Sequence, residues 1–198
     1  MSETVIQNET FSNLLNELRL NDYTPSSNAQ VLLSTESRFI KDLKINTGNV
    51  LNNAQHLNRK EALLLAVSVA VNEKFDPLKK SFTELAIEAG ATETEIAEVI
   101  ACTSLLNTNN VFYRFRHFMH KESYSNMPAG IKMSIMVNPI LGKEFFELVS
   151  LMVSALNGCE LCVTSHEQSV LQHGGTESRI FETIKLGAII KGLIAVLS

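Results

Sequence analysis

The chain has no tryptophan, only three tyrosines, four prolines and nine glycines in 198 residues. So few helix breakers over such a length predict a mostly helical protein with few loops. Long uninterrupted apolar runs are also lacking. Ala62–Val71 is too short to span a bilayer and Lys191 interrupts Leu186–Leu197, which argues against a membrane span. The N-terminus shows no basic stretch followed by an apolar one, so no signal peptide is read there and a soluble cytoplasmic protein is expected. Cationic excess is missing: 17 Lys and Arg stand against 21 Asp and Glu, a net charge of −4. That balance argues against nucleic acid or an anionic membrane as the main partner. Three cysteines in a reducing compartment do not make a structural disulfide framework.

Those cysteines nevertheless carry the main signal. In Asn157-Gly158-Cys159-Glu160-Leu161-Cys162-Val163-Thr164-Ser165-His166, the cysteines are three apart and His166 follows Cys162 by four. On a helix all three side chains share one face. Asn157-Gly158 is a break signal, so Cys159 should open a new helix. Unpaired N–H groups at a helix start favour negative charge and lower a thiol pKa. A C-x-x-C in this setting reads as a redox pair or a metal half-site. As a redox pair, one thiolate attacks a peroxide and leaves a sulfenic acid, which a second thiol condenses with. The helix start favours Cys159 as the attacking thiol and the imidazole one turn later favours Cys162. Cys162 is preferred, because a hydrogen-bonded base can also return a proton to the leaving group.

A carboxylate is a candidate third member. If the preceding helix folds back as an antiparallel partner, Glu147 falls within about a turn of His166. It lies in the apolar run Phe145-Phe146-Glu147-Leu148-Val149, so it is either on a solvent face or held for a purpose. Glu144 is the more obvious solvent-face acid. A zinc site would need four ligands, and no second C-x-x-C exists to complete one. Cys102, in Val99-Ile100-Ala101-Cys102, reads as core. His117, His120 and Glu122, interleaved with Arg114 and Arg116, read as a solvated or subunit-contact face. His56 and His173 read as capping residues near helix ends.

Along the chain, Met1–Thr10 is expected to fray. Phe11, Leu14, Leu15 and Leu18 mark a first short helix, and helical spacing continues from Gln30 to about Lys44. Asn58 with Glu61, and Thr92 with Glu95, are capping boxes that open helices through Val71 and Leu106. Asp76-Pro77 caps and starts a helix ending at Gly90. Asn107 to Asn110 is a polar interruption before a helical Val111–His120. A short apolar segment, Met127 to Val137, is closed by Asn138-Pro139. Gly142 precedes a helix from about Lys143 to Leu156, the dithiol helix runs to His173, and Thr176 caps the last. Sliding the chain by 84 residues lays Gly90 on Gly174, Thr92 on Thr176 and Glu98 on Glu182. That self-similarity suggests one domain, 1–198, containing an approximate internal repeat of 61–106 and 144–197. At the same offset Phe75 lies under Cys159, Leu78 under Cys162 and Phe82 under His166.

Three segments together resemble the alkyl hydroperoxide reductase AhpD family, within the wider carboxymuconolactone decarboxylase-like group. They are Ser154 to Cys162 with Ser165-His166-Glu167, then Asn109-Asn110-Val111-Phe112-Tyr113-Arg114-Phe115-Arg116-His117, and Met127-Pro128 through Asn138-Pro139. The C-x-x-C-x-x-x-H pattern alone indicates only the broad group. The Asn-Asn-Val-aromatic-Tyr-Arg segment points to AhpD. The likeness covers nearly everything from about Phe39 onward.

The resemblance implies an all-α AhpD-like fold and a homotrimer. It implies that Cys162 is the peroxidatic thiol, that Cys159 resolves it and meets protein partners, and that Glu147 and His166 complete a proton relay. No tightly bound cofactor or metal is implied. Electrons would come from a dihydrolipoyl group on a 2-oxoacid dehydrogenase component and could pass to a peroxiredoxin, AhpC. Many members carry a histidine just before the second cysteine. Leu161 stands there in this chain, so an altered rate or pH dependence is expected rather than loss of activity. The competing functions are a lactone decarboxylase of the broader group and a non-catalytic helical assembly protein with packed or zinc-binding cysteines.

Overall fold

A computed structural model of the chain describes residues 8–198. Among the described residues the architecture is all-helical: α1 (Glu9–Glu17), α2 (Ser27–Ser34), α3 (Phe39–Asn52), α4 (Arg59–Asn72), α5 (Asp76–Glu88), α6 (Glu93–Met119), α7 (Glu122–Asn126), α8 (Lys143–Leu156), α9 (Glu160–Gln172) and α10 (Glu177–Leu197). None of them is long and apolar enough to cross a membrane.

Two helices form the centre. Every residue of α4 from Ala62 to Ala70 is buried, and so is every residue of α8 from Phe145 to Ser154. A helix that is apolar on all sides must be surrounded. Around α4 lie α5, α6 and α10, and around α8 lie α9, α6 and α10. Both capping boxes form: Asn58 with Glu61 opens α4, and Thr92 with Glu95 opens α6. Each such cap contributes about 1 kcal/mol.

Helix boundaries repeat at the offset of 84: α4 matches α8, α5 matches α9, and α6 and α10 start in register. Contacts repeat too, with the chemistry exchanged. Lys60 pairs with Glu95 at 2.8 Å, and the matching positions hold Glu144 and Arg179, also 2.8 Å apart, with the charges reversed. Ser68 bonds Thr103 at 2.8 Å where the other half sets Met152 against Gly187. The Glu182 carboxylate accepts from the N–H groups of Gln55 and His56 at 3.1 and 2.7 Å. Its counterpart Glu98 accepts from Ile140 and Leu141 at 2.9 and 2.7 Å, one residue further on. Proline has no N–H, and Pro139 occupies the position equivalent to Gln55, which explains the slip.

Four expectations need correction. Gln30 to Lys44 is not one helix. After α2, Ser37 N–H reaches Leu32 O at 3.0 Å, Glu36 N–H reaches Leu33 O at 3.1 Å, and Glu36 has φ 48°. This is a Schellman stop made without glycine, so the sequence carried no warning. Asn107 to Asn110 does not interrupt α6, because Asn107 and Asn110 find side-chain partners on neighbouring helices. Asp76 is the first residue of α5 rather than its cap, which is Phe75. Of the expected frayed stretch, Glu9 and Thr10 are helical in α1, capped by Asn8; Met1–Gln7 lies outside the described residues.

Candidate active site

The site is built at the α8–α9 junction. Gly158 follows α8 with φ 67°, a left-handed value that suits glycine. Cys159 is then the N-cap residue of α9, and Cys162 sits in its first turn. The equivalent turn of the first half places Lys74 at φ 57° and Phe75 at the α5 cap. The two sulfurs are bonded to each other, with Cα atoms 5.3 Å apart. Cys159 is fully buried and Cys162 keeps 7% exposure.

His166, one turn beyond Cys162, directs its Nδ1 to Glu147 Oε2 at 2.7 Å. A carboxylate accepting from Nδ1–H leaves Nε2 as the nitrogen free to take or give a proton. Glu147 is 3% exposed, so it is not a solvent-face acid. Its other oxygen, Oε1, pairs with Lys143 Nζ at 2.9 Å, and that ammonium also donates to Met136 O at 2.8 Å. Burial pushes the Glu147 carboxyl up, but the hydrogen bonds and charges of His166 and Lys143 outweigh it and hold the pKa below its ordinary value. The buried acid is therefore ionised near neutrality.

Lys143 escaped the sequence reading. Its i, i+4 spacing to Glu147 on α8 was the available signal. Glu144 is also corrected: it is not a free solvent-face acid but pairs with Arg179, which also holds Glu61 at 2.5 Å and the carbonyl of His56 at 2.6 Å. His173 is the C-cap of α9, as read, while His56 lies in the loop ahead of α4.

Cys102 is buried in the core, 3.4 Å from Ser150 Oγ, and burial pushes its thiol up to about 12. It is no nucleophile. Leu161 is 41% exposed and forms part of a surface pocket of about 410 Å³ with Tyr113, Arg116, His117 and His120. The basic, aromatic end of α6 thus borders the dithiol helix, and His117 Nε2 lies 4.0 Å from Glu160 Oε2.

The helical scaffold brings a C-x-x-C pair beside an imidazole–carboxylate couple, and comparison with known proteins gives the class to which the chain belongs. Residues 124–198 match the model of the Carboxymuconolactone decarboxylase family. A putative gamma-carboxymuconolactone decarboxylase subunit from Burkholderia xenovorans LB400 superposes with a TM-score of 0.64 at 18% identity, covering 96% of this chain and 94% of that one, which is a likeness of fold. Within that class the relatives are more specific. Alkyl hydroperoxide reductase AhpD of Coxiella burnetii is 33% identical over 80% of this chain and 90% of its own length. Its namesake from Rhizorhabdus wittichii is 35% identical over the same shares. The chain belongs to the AhpD family.

Proposed function

We propose that the protein is a thiol-dependent alkyl hydroperoxidase and disulfide reductase. The observation that carries this reading is the bonded Cys159–Cys162 pair one turn from His166, whose orientation is fixed by the buried, ionised Glu147. In the reduced enzyme the Cys162 thiolate attacks the terminal oxygen of the hydroperoxide. The O–O bond breaks, the sulfur becomes a sulfenic acid, and His166 supplies the proton that turns the departing alkoxide into an alcohol. Cys159 then displaces hydroxide from the sulfenic acid; with one proton it leaves as water, and the disulfide forms. A dihydrolipoyl group restores both thiols by exchange and is itself oxidised to the cyclic disulfide.

The preference for Cys162 as the attacking sulfur gains support from exposure, since Cys159 has none. The same fact bears on the partner-contact role implied for Cys159. An incoming lipoyl thiolate reaches Cys159 only after the start of α9 opens, or else attacks Cys162 first. The donor on a 2-oxoacid dehydrogenase component, onward transfer to a peroxiredoxin of the AhpC kind, and a homotrimeric assembly rest on family membership.

The test is mass spectrometry of the reduced protein after one equivalent of an alkyl hydroperoxide. Loss of two hydrogens, mapped to Cys159–Cys162, is expected. An intact dithiol would overturn the reading.

A further inference from the structure

The Asn-Asn-Val-Phe-Tyr-Arg segment is distinctive in the sequence, yet the chemistry above does not use it. It lies on α6, which packs against both α8 and α9. From there Arg114 Nη1 donates to the carbonyl oxygen of Asn157 at 2.5 Å. One turn earlier, Asn110 Oδ1 accepts from Asn157 Nδ2 at 3.0 Å, while Asn110 Nδ2 donates to Ser154 Oγ at 3.0 Å. At the end of α4, Asn72 Nδ2 donates to Asn157 Oδ1 at 3.1 Å. Asn107 braces this contact by donating to Asn72 Oδ1 at 2.9 Å. The backbone carbonyl and both side-chain ends of Asn157 are thus held from two other helices. Only Gly158 separates Asn157 from Cys159.

The other half of the molecule provides a contrast. Its turn before Phe75 carries no cysteine. The positions equivalent to Asn110 and Arg114 are Ile194, whose side chain has no hydrogen-bonding atom, and Ser198, which has no guanidinium. The equivalent of Asn157 is Glu73, whose carboxylate is held by Asn72 and Lys191 at the surface. The full lattice is built only on the turn that bears the dithiol.

We propose that Arg114, Asn110 and Asn72 form a clamp on the Asn157–Gly158 turn and so set the dithiol–disulfide equilibrium of Cys159 and Cys162. This rests on the reading of that pair as redox-active. Two thiols held in bonding geometry have a high effective concentration towards each other. Reducing the disulfide frees both sulfurs, and a turn that stays fixed keeps them poised to close again. Loosening the turn lowers that concentration and moves the equilibrium towards the dithiol. Arg114, Asn110 and Asn72 are positioning residues that act through Asn157.

The experiment equilibrates the full-length protein with mixtures of dihydrolipoamide and lipoamide and measures the oxidised fraction by thiol alkylation and mass spectrometry. The variants are Arg114→Lys, which keeps the charge but not the planar fork, Asn72→Ala at a half-buried site, and Asn110→Ala. Arg179→Met serves as a control that weakens the fold far from the turn. Each clamp variant is expected to shift the exchange constant about three- to tenfold towards the dithiol, an order set by lost preorganisation, with Arg179→Met unchanged. If Asn110→Ala fails to fold, the other two variants decide. Clamp variants that match wild type, or a control that shifts as far as they do, would overturn the clamp. A wild-type disulfide that does not exchange with dihydrolipoamide at all would overturn the redox reading itself, and the clamp with it.

Discussion

His166 Nδ1 and Glu147 Oε2 lie 2.7 Å apart across the α8–α9 hairpin. This contact fixes which imidazole nitrogen is left for chemistry, and it joins a buried charge to the dithiol. Glu147→Gln keeps the shape but removes the charge and the demand for a proton on Nδ1. Peroxide turnover is expected to fall on the order of 100-fold, the scale of a misdirected acid–base group. Steady-state assays with an alkyl hydroperoxide check it, and turnover within twofold of wild type would refute the coupling.

The same carboxylate makes stability depend on pH. Its folded pKa is lowered, so it contributes stability that is present above the ordinary carboxylate value and is lost as pH falls through the lowered one. Urea midpoints measured from pH 7 down to pH 3 should fall for wild type. In Glu147→Gln the fall should be smaller, since this group no longer contributes to it.

Lys143 tunes that acid from its other oxygen, at 2.9 Å. Lys143→Met removes a cation that favours the ionised form, so the Glu147 pKa rises. The acidic limb of the pH–rate profile should move to higher pH, with turnover at the plateau largely retained. A limb that stays in place would assign Lys143 to packing alone.

Leu161 stands where the family resemblance leads to the expectation of a histidine. Leu161→His should add an ionisation near pH 6.5 to the pH–rate profile. It would do so at a site already 41% exposed, where packing does not oppose the change. An unchanged profile would show that this position does not communicate with the reacting sulfur.

Much of this fold was legible in the residues because local signals and packing agreed. The capping boxes at Asn58 and Thr92, the breaks at Gly90 and Gly174 and the Lys143–Leu156 helix all stand where the sequence put them. Failures came where one residue type served an unusual end. Glu36, Arg19 and Lys74 adopt left-handed backbone without being glycine, so the α2 stop was invisible. The Asn107–Asn110 run looked like a breaker because free asparagine amides compete with helix bonds. In the folded protein Asn107 and Asn110 spend those amides on partners in α4 and α8. Spacing on one helix related Cys159, Cys162 and His166, whereas for Glu147 the residues left a solvent face and a held role both open, and its place beside His166 was implied by the family resemblance. Lys143 carried a signal that went unread, its i, i+4 spacing to Glu147 on α8; the Asn157 lattice carried none, because its partners come from α4 and α6 and meet it only once the helices have packed.

The central claim is tested most directly by hydroperoxide turnover driven by dihydrolipoamide in wild type, Cys159→Ser and Cys162→Ser. Sustained turnover is expected only in wild type. Cys162→Ser should not consume peroxide, and Cys159→Ser should stop after one equivalent with a trappable sulfenic acid on Cys162. Full turnover in both single variants would contradict the account and leave the dithiol without a catalytic part.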